Sequence, residues 1–187
     1  MPCRHPNILT RDCAVLVLVD LQEPFLQGVA ERERVLERCV FLAESAKVLG
    51  VPTLATLQYR ARMGEFVPSV AAALGDVSPI DKMSFSCAGS PAFCEALRAG
   101  GRRQVLLAGV ETHICVAQTA LDLLHHGYQV HVAADAVSAR GMDRHKLGME
   151  KMRDAGVIPC AAEQAVFELL GEAGTDEFKR VLKLVKG

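Results

Sequence analysis

The sequence has little of what nucleic-acid and membrane proteins rely on. It contains no tryptophan and only two tyrosines, so it lacks the aromatic platforms on which single-stranded nucleic acid stacks. Its 21 lysine and arginine residues are balanced by 22 aspartate and glutamate residues, which argues against binding to nucleic acid or to an anionic membrane surface. No apolar run reaches the roughly 18 residues of a membrane span. The sequence therefore predicts neither a nucleic-acid partner nor a membrane partner.

The cysteines and histidines also lack the spacings that hold metals. The seven cysteines show no paired CxxC spacing, and no two histidines have the spacing of a zinc site. Residues 1–13 contain no apolar segment of the kind found in a secretory signal. We therefore expect a cytoplasmic protein with free thiols and no bound metal.

The apolar pattern predicts one domain that spans residues 1–187. Half of the residues are hydrophobic, which is enough for a sizeable core. Apolar runs of strand length alternate with segments of helical periodicity, and these runs are near-continuous in Val, Leu and Ala. Such strands are buried on both faces, which is typical of a parallel sheet between two helix layers. We predict an α/β fold: a three-layer, doubly wound, Rossmann-like parallel sheet of six strands, at 14–21, 52–58, 79–85, 103–110, 128–136 and 157–160.

In a doubly wound sheet, ligands bind beyond the carboxyl ends of the strands, where the strand order reverses. Asp20 lies at the carboxyl end of the first strand, Lys82 belongs to the third, and Cys115 lies just after the fourth. The topology thus predicts that an acid, a lysine and a cysteine meet at one edge of the sheet.

Other side chains at this edge are candidates for the walls of a substrate pocket. His113 either lines this pocket or is a partly exposed residue of the turn before Cys115. The remaining candidates lie at or just after the carboxyl ends of the first, second and fourth strands, and they are Gln22, Phe25, Gln58, Tyr59 and Val110.

Cys115 is placed for nucleophilic catalysis. We expect a helix over 112–126, whose unpaired N–H groups favour a thiolate and lower the pKa of the thiol. The ammonium group of Lys82 lowers this pKa further, and Asp20 can accept the thiol proton and return it to a leaving group. Backbone N–H groups of the 110–115 turn can bind the oxyanion of a tetrahedral intermediate. None of these steps requires a metal or an organic cofactor.

Three segments together resemble a known family. They are "LVDLQEPFL" (18–26), "DKMSFS" (81–86) and "AGVETHICVAQTALDLLHHGYQVHVAADAVSAR" (108–140), and they are similar to the signature segments of the isochorismatase-like cysteine hydrolases. The resemblance extends over nearly the whole chain. The segments "TLQYR" (56–60) and "FKRVLKLVK" (178–186) resemble the branch of isochorismatase domain-containing proteins.

The resemblance implies a role for each matching residue. Asp20, Lys82 and Cys115 occupy the positions of the family's catalytic triad. The Val110–Glu111 bond falls where the family has a non-proline cis peptide, and the N–H groups of Glu111 and Cys115 fall where it has its oxyanion hole. Nicotinamidases carry an acid and two histidines as metal ligands after the second strand, but "LQYRARMGEF" (57–66) contains no histidine and no aspartate. The resemblance therefore does not extend to a metal site.

We interpret the sequence as a metal-independent cysteine hydrolase without a cofactor. It would cleave a small amide or a related C–N bond through an acyl-Cys115 intermediate, and the sequence does not identify its physiological substrate. Cleavage of a vinyl ether, as in isochorismatase proper, is less favoured because it needs a site for a carboxylated ring and uses no cysteine nucleophile. A nucleotide-binding Rossmann protein is not favoured either, because the turn "GVETHIC" has one glycine where a dinucleotide fingerprint needs three.

A second hypothesis from another class remains open. The chain could be a non-catalytic, oligomeric binding or scaffold protein that retains the hydrolase fold. The expected partners are a small-molecule substrate and further copies of the chain, because the family forms dimers and larger closed assemblies and apolar helix faces are often buried by self-association.

Overall fold

The computed structural model describes residues 4–186; the first three residues, Cys3 among them, and Gly187 lie outside this part. One six-stranded sheet runs through it, with parallel pairing throughout and the order β3-β2-β1-β4-β5-β6. This confirms the predicted α/β fold with a doubly wound parallel sheet. The strands are β1 (Ala14–Val19), β2 (Thr53–Gln58), β3 (Ile80–Lys82), β4 (Gln104–Val110), β5 (Gln129–Ser138) and β6 (Ile158–Cys160).

The two central strands explain why the apolar runs are continuous. Every residue of β1 and β4 is buried. Successive side chains of a strand point to opposite faces, so Leu16 and Leu18 join one hydrophobic cluster, whereas Val15 and Val17 join the other. Both faces of the sheet are therefore core.

Helices cover the sheet on each side. The helices are α1 (Glu23–Leu26), α2 (Arg32–Leu49), α3 (Arg60–Met63), α4 (Pro68–Leu74), α5 (Pro91–Ala99), α6 (Ala117–His125), α7 (Met142–Asp154), α8 (Ala162–Leu170) and α9 (Asp176–Lys186). The cluster around Leu16 includes residues of α2, α4, α8 and α9, whereas the cluster around Val15 includes residues of α5, α6 and α7. Two short helices, α1 and α3, follow β1 and β2. None of these helices has the length and apolar character needed to cross a membrane.

The segment after β4 differs from the expected continuous helix over 112–126. Thr112–Val116 forms a π-helical turn, and α6 begins only at Ala117. The Glu111 carbonyl accepts hydrogen bonds from the N–H groups of Ile114 and Val116 (3.0 and 3.3 Å), so the chain winds more widely here than in an α-helix. Cys115 therefore lies inside a wide turn and not at the first residue of an α-helix.

The strand order reverses between β1 and β4, and Gly109 allows these strands to approach closely at that point. Gly109 has a φ of 117°, and a Cβ atom at this position would overlap the carbonyl group of Val19. Since any other side chain would push β1 and β4 apart, this glycine keeps Asp20 beside the turn that follows β4.

Candidate active site

Asp20 and Lys82 form a buried ion pair beyond the carboxyl ends of the strands. The Lys82 Nζ atom lies 2.6 Å from Asp20 Oδ2. Lys82 is 3% exposed and Asp20 is 1% exposed. Strand β2 lies between them and supplies Thr56, whose hydroxyl donates to Asp20 Oδ1 at 2.8 Å. Both oxygens of the Asp20 carboxylate are thus held.

The backbone at Asp20 is in an unusual conformation. Its φ of 53° is rare for a residue with a side chain, and its N–H donates to the Thr56 carbonyl at 3.1 Å. Such conformations persist only where the surrounding structure enforces them, and they concentrate at functional sites.

The Lys82 ammonium group has no donor left for a further partner. It donates to Asp20, to Gln58 Oε1 at 2.6 Å, and to the carbonyls of Ser84 and Phe85 at 3.3 and 3.2 Å. An ammonium group carries three protons, so these four acceptors use all of its capacity.

Cys115 is buried beside this ion pair, and its pKa is raised above the ordinary thiol value. Burial is the largest cause, the neighbouring Asp20 carboxylate adds to it, and Lys82 opposes it more weakly. This is opposite to the expected low pKa. Desolvation and the Asp20 carboxylate together outweigh the charge of Lys82. The thiol is therefore neutral at neutral pH.

Burial also raises the pKa of Asp20. The charge of Lys82 and the hydrogen bonds from Lys82 and Thr56 lower this pKa, but desolvation is the larger effect. A carboxylate with a raised pKa is a better proton acceptor than a solvated one. The site therefore places a neutral thiol next to a base.

The turn that carries Cys115 is fixed by Glu111. The peptide bond between Val110 and Glu111 is cis, the geometry that the family resemblance implies here. The Glu111 carboxylate accepts from the backbone N–H of Arg140 at 2.8 Å and forms an ion pair with its Nε at 3.0 Å. Within residues 4–186, the N–H of Glu111 donates no turn, loop or cap hydrogen bond.

These groups surround a small cavity of about 60 Å³. Asp20, Cys115 and Glu111 line it, as do three of the predicted pocket residues. Phe85 and Ile114 also line it, although they were not predicted from the sequence. Phe85 lies in the loop after β3 and Ile114 in the π-helical turn after β4. Their closeness in sequence to Lys82 and Cys115 was the available signal. The full lining is Asp20, Phe25, Gln58, Phe85, Val110, Glu111, Ile114 and Cys115.

The structure places Gln22, Tyr59 and His113 outside this cavity. Gln22 is fully buried behind it, where its amide donates to the Gln58 carbonyl and accepts from the Gln58 N–H. Tyr59 turns outward and is 39% exposed. His113 packs against Gly148 of α7. Position after a strand predicts which edge a residue occupies, but not where its side chain points.

Asp135 lies in β5, and its side-chain contacts are structural. Its Oδ1 atom accepts from the Ala162 N–H at 2.7 Å, at the start of α8. Arg38 of α2 lies 3.8 Å from its other oxygen. Asp135 thus links α2, β5 and α8 and does not line the cavity.

We expect chelation to leave this protein unchanged. Within residues 4–186, no group of three His, Cys, Asp or Glu side chains is arranged to hold a metal. Overnight treatment with EDTA should therefore alter neither the melting temperature nor activity. Metal analysis of the purified protein provides the check, and stoichiometric zinc or iron that is lost together with activity would contradict this expectation.

Comparison with known protein families places this geometry in context. Residues 14–164 match the family model of the isochorismatase domain. The chain is 38% identical over 178 residues to the secreted isochorismatase effector Isc1 of Phytophthora sojae, covering 92% of this chain and 84% of that protein. It is 35% identical over 176 residues to isochorismatase domain-containing protein 2A of Mus musculus, with 94% and 84% coverage.

Solved structures agree with these relatives. One described as the MAR1 ribonuclease of Caenorhabditis elegans superposes with a TM-score of 0.89 and 33% identity, covering 96% of this chain and 92% of that chain. The YcaC gene product of Escherichia coli, described as an octameric hydrolase of unknown specificity, has a TM-score of 0.89 at 24% identity, with 97% and 92% coverage. This second likeness concerns the fold alone.

Proposed function

This chain belongs to the isochorismatase family, and from that premise we propose that it is a metal-independent cysteine hydrolase that cleaves a small amide or a related C–N bond. One observation carries the proposal: a cavity lined by both a thiol and a carboxylate, with the carboxylate paired to a buried ammonium group. An Asp-Lys-Cys triad of this kind contains a nucleophile, a base and a charge that orients the base.

In the first half-reaction, Cys115 attacks the carbonyl carbon of the amide. The thiol proton passes to the Asp20 carboxylate as the C–S bond forms, and the electron pair of the carbonyl double bond moves to oxygen. The tetrahedral intermediate then collapses, the C–N bond breaks, and Asp20 returns the proton to the departing nitrogen. The products are ammonia or an amine and a thioester on Cys115.

In the second half-reaction, water replaces the amine. Asp20 takes a proton from the water molecule as the water oxygen attacks the thioester carbon. The C–S bond breaks, the carboxylic acid leaves, and the sulfur regains its proton from Asp20. The overall change is the hydrolysis of an amide to an acid and an amine, and no oxidant, metal or cofactor enters the balance.

Backbone N–H groups and Lys82 support these steps. Within residues 4–186, the N–H of Glu111 donates no turn, loop or cap hydrogen bond, and we assign it, together with the N–H of Cys115, to binding of the oxyanion. The charge of Lys82 lowers the pKa of Asp20 against the effect of burial, and its ammonium group holds the Oδ2 atom in place.

Two other functions are less well supported. Asp20 and Cys115 line one cavity, and Lys82 is paired to Asp20; this arrangement weighs against a scaffold that retains only the fold. The Caenorhabditis elegans relative is described as a ribonuclease, but the cavity of this chain has no Lys, Arg or His in its lining, and phosphodiester cleavage needs positive charge at the phosphate.

Acylation of Cys115 tests the proposed function directly. Incubation with trifluoroethyl acetate, followed by intact-protein and peptide mass spectrometry, should show one acetyl group on Cys115. Cys115→Ala should remain unmodified under the same conditions. Acetylation spread over several of the free cysteines, or none on Cys115, would refute the covalent mechanism.

The dependence of activity on pH should show an acidic limb above the ordinary carboxyl range. The raised pKa of Asp20 means that the base is protonated, and so unable to accept the thiol proton, at pH values where a solvated aspartate is ionised. We expect kcat/KM to fall as the pH falls through this raised, coupled pKa, and not to rise across the ordinary thiol range. Unchanged kcat/KM down to about pH 4, with the fold intact by circular dichroism, would contradict the assignment of Asp20 as the base.

We also propose that the protein is a homo-oligomer, at least a dimer. The Escherichia coli YcaC gene product is described as octameric, and Met83 and Leu147 of this chain are more than half exposed. Large apolar side chains on a surface are often covered by self-association. Light scattering at micromolar concentration should give a mass at least twice the single-chain 20.2 kDa; a monomer would refute the proposal.

A further inference from the structure

We propose that the substrate of this site is a short aliphatic amide whose acyl group is small, uncharged and apolar, and that carboxylate-bearing substrates are rejected. The inference rests on the proposed function, because it takes Cys115 as the atom that is acylated. Three properties of the cavity carry it: its charge, its free hydrogen-bonding groups and its size.

The charge of the cavity disfavours an anionic substrate. The lining contains two acidic residues, Asp20 and Glu111, and no basic one. Their counterions do not line it: Lys82 uses all of its donors on protein acceptors, and Arg140 is bound to the Glu111 carboxylate. A substrate carboxylate would therefore lie near two like charges without a cation to pair with it.

The hydrogen-bonding groups of the lining are already engaged, except at the reacting centre. Gln58 donates one amide N–H to the Met83 carbonyl and accepts at Oε1 from Lys82. Both oxygens of Asp20 and both of Glu111 have protein donors. A hydroxyl or amino group on the acyl chain would thus lose water and share acceptors that protein donors already occupy. The scissile amide has partners of its own, at Cys115 and at the N–H groups assigned to the oxyanion.

The size of the cavity limits the acyl group to a few atoms. One water molecule needs about 10–15 Å³ of such a volume, so 60 Å³ has room for about four to six non-hydrogen atoms. The remaining walls are apolar side chains: Phe25, Phe85, Val110 and Ile114. A short aliphatic amide matches this space, whereas an aromatic amide exceeds it.

Three amides distinguish these properties in a steady-state assay of ammonia release. Isobutyramide is small and neutral. Oxamate has the same number of non-hydrogen atoms, with a carboxylate in place of the isopropyl group. Benzamide is neutral but larger. We expect kcat/KM for isobutyramide to exceed that for oxamate and for benzamide by about 100-fold or more.

A wall variant tests the size argument separately. Phe85 is 56% exposed, so Phe85→Ala removes a wall of the cavity without opening the core. It should raise the ratio of benzamide to isobutyramide activity about tenfold or more, and oxamate should remain excluded. Phe167→Ala, which truncates a partly exposed phenylalanine of α8 outside the site, is the matched control and should leave both ratios unchanged.

The outcomes separate this inference from the proposed function. In one outcome, trifluoroethyl acetate acetylates Cys115 but isobutyramide is not hydrolysed. In another, Cys115 is acetylated and the kcat/KM for oxamate or benzamide equals that for isobutyramide. Either result overturns the inference and leaves the cysteine mechanism standing. If Cys115 is not acetylated at all, both are overturned. Selective hydrolysis of isobutyramide, with a benzamide gain in Phe85→Ala alone, supports the inference.

Discussion

Cys115→Ser should retain the fold and lose turnover by at least about a factor of 10³, as expected when the nucleophile of a catalytic set is removed. Although burial and Asp20 raise the pKa of the Cys115 thiol, a serine hydroxyl in the same place is a far weaker acid and a poorer nucleophile. Asp20 can therefore not take its proton. The substitution removes no large apolar group, so the free energy of unfolding should change little.

The comparison needs a second cysteine variant. Cys13 is exposed and precedes the amino end of β1, on the opposite edge of the sheet from the cavity. Cys13→Ser should keep full kcat/KM with isobutyramide. If Cys115→Ser keeps more than about a tenth of the wild-type turnover, the activation free energy has risen by less than about 1.4 kcal/mol. Such a result would mean that the sulfur is not the nucleophile.

Breaking the buried ion pair should cost both stability and activity. Lys82→Met leaves Asp20 buried, 1% exposed and without its cation, and removal of one partner of such a pair costs about 3–5 kcal/mol in the free energy of unfolding. Asp20→Asn removes the base and should lower kcat by about 10²–10⁴. Urea unfolding and steady-state kinetics measure the two effects.

The double variant separates the two roles of the pair. Asp20→Asn/Lys82→Met contains no buried charge at this site, so it should recover most of the stability that Lys82→Met loses, but none of the activity. Lys146→Met, which removes an exposed i,i+4 partner of Glu150, is the control and should cost less than about 1 kcal/mol. If Lys82→Met lowers the free energy of unfolding as little as this control does, the buried pair does not hold Asp20.

The pairing of Asp20 with Lys82 was predictable from local features of the sequence. Asp20 follows a fully apolar run, and Lys82 ends a short strand in a chain that alternates strands and helices. Because parallel strands end at a common edge, their following residues meet there regardless of the details of packing. The same regularity made the fold predictable, since continuous apolar strands require helices on both faces.

The pKa of Cys115 was not predictable in the same way. The sequence pattern favours one helix over 112–126, and a cysteine at its start would have a low pKa. The structure instead has a wide turn over Thr112–Val116, and it buries the thiol beside the Asp20 carboxylate. Desolvation depends on the groups that other strands bring to the site, and no local pattern encodes it.

The sequence by itself determined which chemistry-bearing residues reach the carboxyl edge of the sheet, because strand period and apolar continuity are local properties. Only the tertiary structure decided what those residues do there. It turned Gln22, Tyr59 and His113 away from the cavity, brought Phe85 and Ile114 to its walls, and engaged every donor of Lys82. The direction of a loop side chain and the partners of a buried charge depend on contacts between residues far apart in the chain, which a local pattern does not specify.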